Sequence, residues 1–236
     1  MAIALTATSA NADPIGWSQP GGAGTPVVIT YSFANLFSPN FQGISEAQLR
    51  AATSQAFRNW TVYAPLHFVE RPDSGPTPAE VEYAPDSHPQ IRIGTHAIDD
   101  ALVLAHAFFP VSTDVSGLAG DIHFNSDTMF SWDVADGLSI DFVEVMMHEI
   151  GHAIGLQHVD ATDAVMNPVH FFHFGETRQP SLLPADIAAV QAIYGSGVGS
   201  VAPIPEPSTL FLVAAGALAA LVRRRTKGRG RRTPTV

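Results

Sequence analysis

No stretch constrains this chain more than residues 148–158, HEIGHAIGLQH. His148 and His152 are four apart, which on a helix stacks them on one face, so the spacing predicts a helix here. Two neutral imidazoles so placed can hold one zinc ion at roughly 2.0–2.1 Å each. Glu149, between them in sequence, reads as a general base beside the metal rather than a ligand. Gly155 can take positive φ and end the helix. The returning chain then brings His158 to the same ion. Three protein ligands leave a coordination position for water, which a catalytic zinc site needs and a structural one lacks. The alternative is a helix whose histidines merely pack or face solvent. It would be favoured for any single histidine, but the whole constellation weighs against it.

Residues 164–168, AVMNP, follow, with Met166 eight positions beyond His158. Together the two elements resemble the metzincin zinc endopeptidases, and AVMNP is similar to the Ala-Leu-Met-Tyr-Pro turn of the matrixins among them. The resemblance implies an α+β, zincin-like catalytic domain with a twisted mixed sheet of about five strands and three helices. It implies a catalytic zinc on His148, His152 and His158, with Glu149 as base. Met166 would form an apolar floor under the metal without binding it. The non-zinc ring nitrogens need acceptors that no pattern in the chain identifies. The chain has no cysteine, so disulfides, thiolate ligands and a cysteine-switch mode of latency are excluded.

At 236 residues and 46% apolar the chain suits one domain with tails. Residues 1–12 read as the end of a signal peptide, with Ala10-Asn11-Ala12 as an A-x-A site; the alternative is an irregular terminus. Residues 13–26 are Gly/Pro-rich and irregular. The peptidase-like domain is expected over 27–195. Its strands are predicted at 27–33, 66–70, 91–94, 104–110 and 120–124. A first helix opens at Ser45, with Gln48 as capping-box partner and Leu49, Ala52, Ala56 and Trp60 on its core face. Ser139 reads as N-cap of the active-site helix over 140–154. A last helix spans 184–194, PADIAAVQAIY, ended by Gly195 and similar to the closing matrixin helix.

By resemblance, His106 and His123 correspond to ligands of a second, structural zinc; the other reading is two ordinary strand histidines. His96 is followed by Asp99 rather than by the family's His-x-Asp, so its register does not match. Calcium is a further expectation near Asn125 and Asp127, whose oxygens suit it. Residues 170–173, HFFH, would form the outer wall of the S1′ pocket, and Trp132 lies in the loop before the active-site helix.

All 22 acidic residues lie at or before Glu206, whereas seven of the 12 Lys/Arg lie at or after Arg223. The acidic domain should repel nucleic acid, so no nucleic-acid partner is expected. A linker is expected over 196–204. Beyond it come Pro205-Glu206-Pro207, an apolar run at 210–222 and a basic tail at 223–236. This resembles the PEP-CTERM sorting signal of certain Gram-negative bacteria. The resemblance implies an exosortase-type processing enzyme as partner and transient membrane anchoring by an apolar helix at 210–222. It places the product outside the cell or on its surface. At 1.5 Å per residue the run spans about 20 Å, short of a core of about 30 Å, so flanking arginines would snorkel. A plain anchor or a buried helix is the alternative.

The expected function is that of a secreted zinc endopeptidase acting on protein or peptide substrates. Two others stay open: a non-enzymatic metzincin-like surface or matrix protein, and a peptidase of narrow specificity acting on one partner.

Overall fold

Alternation in VVITYSF turns Val27, Ile29 and Tyr31 inward and leaves Val28 exposed, so this segment forms a half-buried strand. It lies in the computed structural model, which describes residues 3–4, 16–37, 44–79, 81, 83, 88–110, 116–128, 130–131, 140–170 and 181–202. Residues 1–203 form one unit and 204–236 another, the second lying outside the described residues. In chain order the elements are β1 (Ile3–Ala4), β2 (Val27–Phe33), α1 (Glu46–Thr61), β3 (Leu66–Glu70) and β4 (Ile91–His96). Next come β5 (Ala105–Ala107), β6 (Ile122–Asn125), β7 (Phe130–Ser131), β8 (Ile140–Asp141) and α2 (Phe142–Ala153). The chain continues through β9 (Val169–His170) and α3 (Pro184–Tyr194) to β10 (Ser200–Ala202).

The main sheet runs β10-β3-β2-β4-β6-β5. Every pairing is parallel except β5 with β6. A mixed sheet with three helices is the α+β architecture expected, with one strand more than the five that were read. The extra strand is β10, which pairs Ser200, Val201 and Ala202 with His67, Phe68 and Val69. It falls in the stretch expected to be linker. A short Gly/Ser segment carries no alternation of its own; what makes it a strand is the open edge of β3.

α1 starts where Ser45 and Gln48 cap one another: Gln48 N–H donates to Ser45 Oγ at 3.4 Å and Ser45 N–H to Gln48 Oε1 at 3.0 Å. Such a cap is worth about 1 kcal/mol. Leu49, Ala52, Ala56, Phe57 and Trp60 are buried on its inner face. Trp60 Nε1 donates to the Met147 carbonyl at 3.0 Å, joining α1 to α2. Among the described residues four short strands lie outside the main sheet, paired as β1 with β9 and β7 with β8. The active-site helix begins later than expected. Residues Ile140 and Asp141 pair with Phe130 and Ser131, and Asp141 is the N-cap, its carboxylate accepting Val143 N–H at 2.8 Å. A strand pairing thus claims the residue read as the first of the helix, and Ser139 lies outside the described residues.

Residues 16–26, before β2, form no helix or strand, yet they are tied to the helices. Trp17 Nε1 donates to the Ala153 carbonyl at the end of α2, and Trp17 N–H to Tyr194 Oη, both at 3.0 Å. Tyr194 Oη in turn donates to the Ile154 carbonyl at 2.8 Å. Orphan carbonyls at the end of α2 are therefore satisfied by side chains far away in sequence. Among the described residues no helix is long and apolar enough to cross a membrane. The apolar run at 210–222, the basic tail, Trp132, residues 171–173 and residues 5–12 of the signal-like stretch lie outside the described residues.

Candidate metal centres

α2 presents His148 and His152 one turn apart, both fully buried. The helix ends in a Schellman arrangement: Gly155 N–H donates to the His152 carbonyl and Leu156 N–H to the Gly151 carbonyl, both at 2.8 Å. Gly155 has φ 101°, which a side chain would make costly. This reversal returns the chain and places His158 beside the other two. His152 Nε2 lies 3.0 Å from His148 Nε2 and 3.1 Å from His158 Nε2. Two nitrogens at about 2.05 Å from one tetrahedral ion would be roughly 3.3 Å apart, so the triad is close to ligand geometry.

The rings are oriented from behind. His148 Nδ1 faces the Val165 carbonyl at 2.6 Å and His152 Nδ1 the Leu156 carbonyl at 2.7 Å. A carbonyl accepts only, so each Nδ1 carries the proton and each Nε2 lone pair points into the cluster. Burial pulls the His152 imidazole down to about 4, despite the helping Leu156 carbonyl, which keeps it in the neutral form a metal binds. Lone pairs converging at this distance repel unless a cation sits among them, so these residues fit zinc. Glu149 is also fully buried, and neither carboxylate oxygen has a hydrogen-bond partner among the described residues. Burial pushes its carboxyl well above the usual range.

Met166 is buried beneath the triad's helix. A Cβ at Gly151 would run into its sulfur and reach within 3.1 Å of the Trp60 ring. Glycine at this motif position is thus what lets the methionine turn approach α2. Met166 O accepts Val159 N–H at 2.9 Å, closing the turn onto the His158 segment. Asp186, on α3, accepts Val165 N–H at 3.1 Å and Met166 N–H at 3.0 Å. The sequence offers no signal for the Val165 or Leu156 carbonyl, because backbone acceptors have no composition; Asp186 opens the stretch similar to the closing matrixin helix, but nothing in that pattern says that its carboxylate meets the methionine turn.

A second cluster forms on the sheet. His106 on β5 stands directly opposite His123 on β6. His96, last residue of β4, joins them, with ring centroids 5.7 Å from His106 and 5.0 Å from His123. Their ligand atoms all lie within 4.8 Å of one another. His96 Nδ1 is 2.7 Å from the Ala97 carbonyl, and its buried Nε2 has no hydrogen-bond partner among the described residues. His96 and Asp99 do not match the His-x-Asp register that the resemblance implies. Strand pairing, not the H-x-D spacing, brings His96 in, and Asp99 is exposed.

Asp121 lies beside this cluster, 3.8 Å from His123. Burial pushes its carboxyl up to about 7, although Tyr83 and Arg92 pull the other way. Asn125 is consumed internally. Its Nδ2 donates to the Val103 carbonyl at 2.9 Å and its Oδ1 accepts Asp127 N–H at 3.1 Å. The expected calcium at Asn125 and Asp127 therefore finds that amide oxygen already engaged.

Comparison with known proteins identifies a family. A family model described as Matrixin matches residues 23–195, and one described as the PEP-CTERM protein-sorting motif matches 203–225. The chain is 34% identical to stromelysin-3 of Mus musculus over 151 residues, covering 63% of this chain and 27% of that protein. It is 32% identical to matrix metalloproteinase-16 of Homo sapiens over 177 residues, covering 71% and 26%. It is 31% identical to matrix metalloproteinase-C of Caenorhabditis elegans over 182 residues, covering 72% and 28%. The chain thus spans about a quarter of the length of the curated relatives it matches.

Proposed function

The chain belongs to the matrixin family, and from that premise we propose that it is an exported zinc endopeptidase that hydrolyses peptide bonds with Glu149 as general base. The observation that carries the reading is the convergence of the His148, His152 and His158 Nε2 atoms, with Glu149, next to His148 in the chain, fully buried and without a hydrogen-bond partner among the described residues. His148, His152 and His158 would hold the ion. Zinc, when bound there, supplies a Lewis acid that acidifies water toward pKa about 7 and polarises a carbonyl.

Glu149 takes the proton of the attacking water and passes it to the leaving amine. Its burial suits that work. Among the described residues no group donates to this carboxyl, so nothing there competes with the water for it. The Val165 and Leu156 carbonyls hold the His148 and His152 rings so that these two ligands need not reorient. Met166 closes the floor and keeps it dry.

The second cluster, His96, His106 and His123, is proposed as a structural zinc site, His96 being added to the two histidines read from sequence. Calcium near Asp127 would have to rely on oxygens other than Asn125 Oδ1. The PEP-CTERM match at 203–225 supports export from a Gram-negative cell, processing by an exosortase-type enzyme and transient anchoring through residues 210–222. The proposed substrate is protein or peptide, and the chain's acidity speaks against nucleic acid.

The test is hydrolysis of casein by the full chain, with and without a zinc chelator, beside Glu149→Ala. Chelator-sensitive cleavage is expected. The variant should keep its zinc and lose activity by at least about a hundredfold. Cleavage by Glu149→Ala at near the parent rate would remove Glu149 from its role. Zinc binding with no cleavage of any unfolded protein would favour the surface-protein or single-partner reading.

A further inference from the structure

We propose that Asp186 sets the donor strength of the zinc ligand His148 through one peptide group, forming a carboxylate–peptide–histidine relay; this rests on the zinc-peptidase reading above. Asp186 is fully buried at the third position of α3. Its carboxylate accepts three backbone N–H groups: Leu183 at 2.9 Å, Val165 at 3.1 Å and Met166 at 3.0 Å. The Leu183 contact is half of a capping box and would suffice to start the helix. The other two turn the same carboxylate onto the methionine turn.

The Met166 N–H and the Val165 carbonyl belong to one peptide group. That carbonyl accepts His148 Nδ1–H at 2.6 Å. The buried chain therefore reads carboxylate oxygen, N–H, C=O, Nδ1–H, each bond polarising the next. Negative charge behind the peptide makes its carbonyl a better acceptor. A better acceptor draws the Nδ1 proton and raises electron density on Nε2, the atom aimed at the metal site. A carboxylate bonded directly to a ligating histidine does the same; here a peptide group stands between the two.

The second ligand is an internal control. His152 Nδ1 also meets a backbone carbonyl, that of Leu156, at 2.7 Å. The peptide group of that carbonyl carries the N–H of Gln157, an exposed residue. Two histidines on one helix thus have acceptors of the same kind, one backed by a buried carboxylate and the other in the peptide group of an exposed residue. Asp186 is a positioning and tuning residue rather than a catalytic one, since it reaches the metal site only through His148.

The experiment compares the full chain with Asp186→Asn, both loaded with zinc, by NMR of the histidine Nδ1–H protons and by chelator competition. The relay predicts that the His148 Nδ1–H resonance moves upfield while that of His152 stays within the scatter. It also predicts a zinc Kd raised about tenfold or more, within the range of outer-shell losses. Unchanged resonances with unchanged Kd would overturn it, as would equal movement of both, which is what mere loosening of the turn would produce. Should Asp186→Asn not fold, the parent chain serves alone. On zinc loading the Met166 amide proton, on the relay, should move further than the Val165 amide proton, which meets the same carboxylate off the relay; equal movement overturns the proposal. A parent chain that binds no zinc would sink the peptidase reading and the relay with it, whereas tight zinc binding indifferent to Asp186 removes the relay alone.

Discussion

Gly151 fills one of the two unspecified positions between His148 and His152, and its lack of a side chain decides how close Met166 can come. Gly151→Ala should overpack this contact at a cost of about 1–3 kcal/mol. In a domain of this size that is roughly 2–4 °C of Tm per kcal/mol. Thermal melts of the zinc-loaded chain test it, and an unchanged Tm would mean that the turn has room to yield. At this scale the histidines were legible because four residues is one helical turn and the motif needs nothing else to be read. Glycine at 151 was not legible, since only the methionine across from it makes it necessary.

At the scale of elements, the start of α1 and both ends of α3 could be read nearly to the residue, because they carry their own signals: Ser45 with Gln48 for α1, Pro184 and Gly195 for α3. Two elements were misjudged because a partner defines them. Asp141 displaces Ser139 as N-cap because Ile140 and Asp141 are already paired with Phe130 and Ser131. Residues 200–202 become β10 because β3 has an open edge; Ser200 Oγ also meets His67 Nδ1 at 2.9 Å, and Gly199 N–H reaches the Thr61 carbonyl at 2.7 Å. A chain ending at Gly199 should therefore melt several degrees below one ending at Ala202, each lost hydrogen bond costing about 0.5–1.5 kcal/mol. Equal melting temperatures would mean that β10 adds no stability and the segment is linker in effect.

At the scale of the whole molecule, the acidic balance hides one buried arginine among the described residues. Arg92 is almost fully buried and meets Asp73 through two hydrogen bonds, at 2.9 and 3.0 Å, tying the loop after β3 to the sheet. Burial alone would raise the Asp73 carboxyl, but the hydrogen bonds from Arg92 and Ser32 outweigh it and hold the group below its ordinary 3.8. A depressed carboxyl stabilises the folded chain above its unfolded pKa, and that contribution is lost as pH falls through the lower folded value. Below about pH 4 the parent chain should lose stability on acidification more steeply than Asp73→Asn. Parallel acid limbs in urea melts would show that the pair carries no pH-linked stability.

Residues 148–158 with Met166 determined, by themselves, that a helix carries two stacked imidazoles, that the chain turns at Gly155, and that a third imidazole returns. These are local facts, set by helical period and by the conformational freedom of glycine. Composition likewise placed the acidic charge and excluded thiolate chemistry. The tertiary structure alone decided which carbonyls hold the ligand rings, that Asp186 stands behind the methionine turn, that His96 completes the second cluster and that residues 200–202 join the sheet. Each of those depends on strand register or on chain segments meeting from far apart, and such meetings follow from the packing of the whole core rather than from any spacing along the chain.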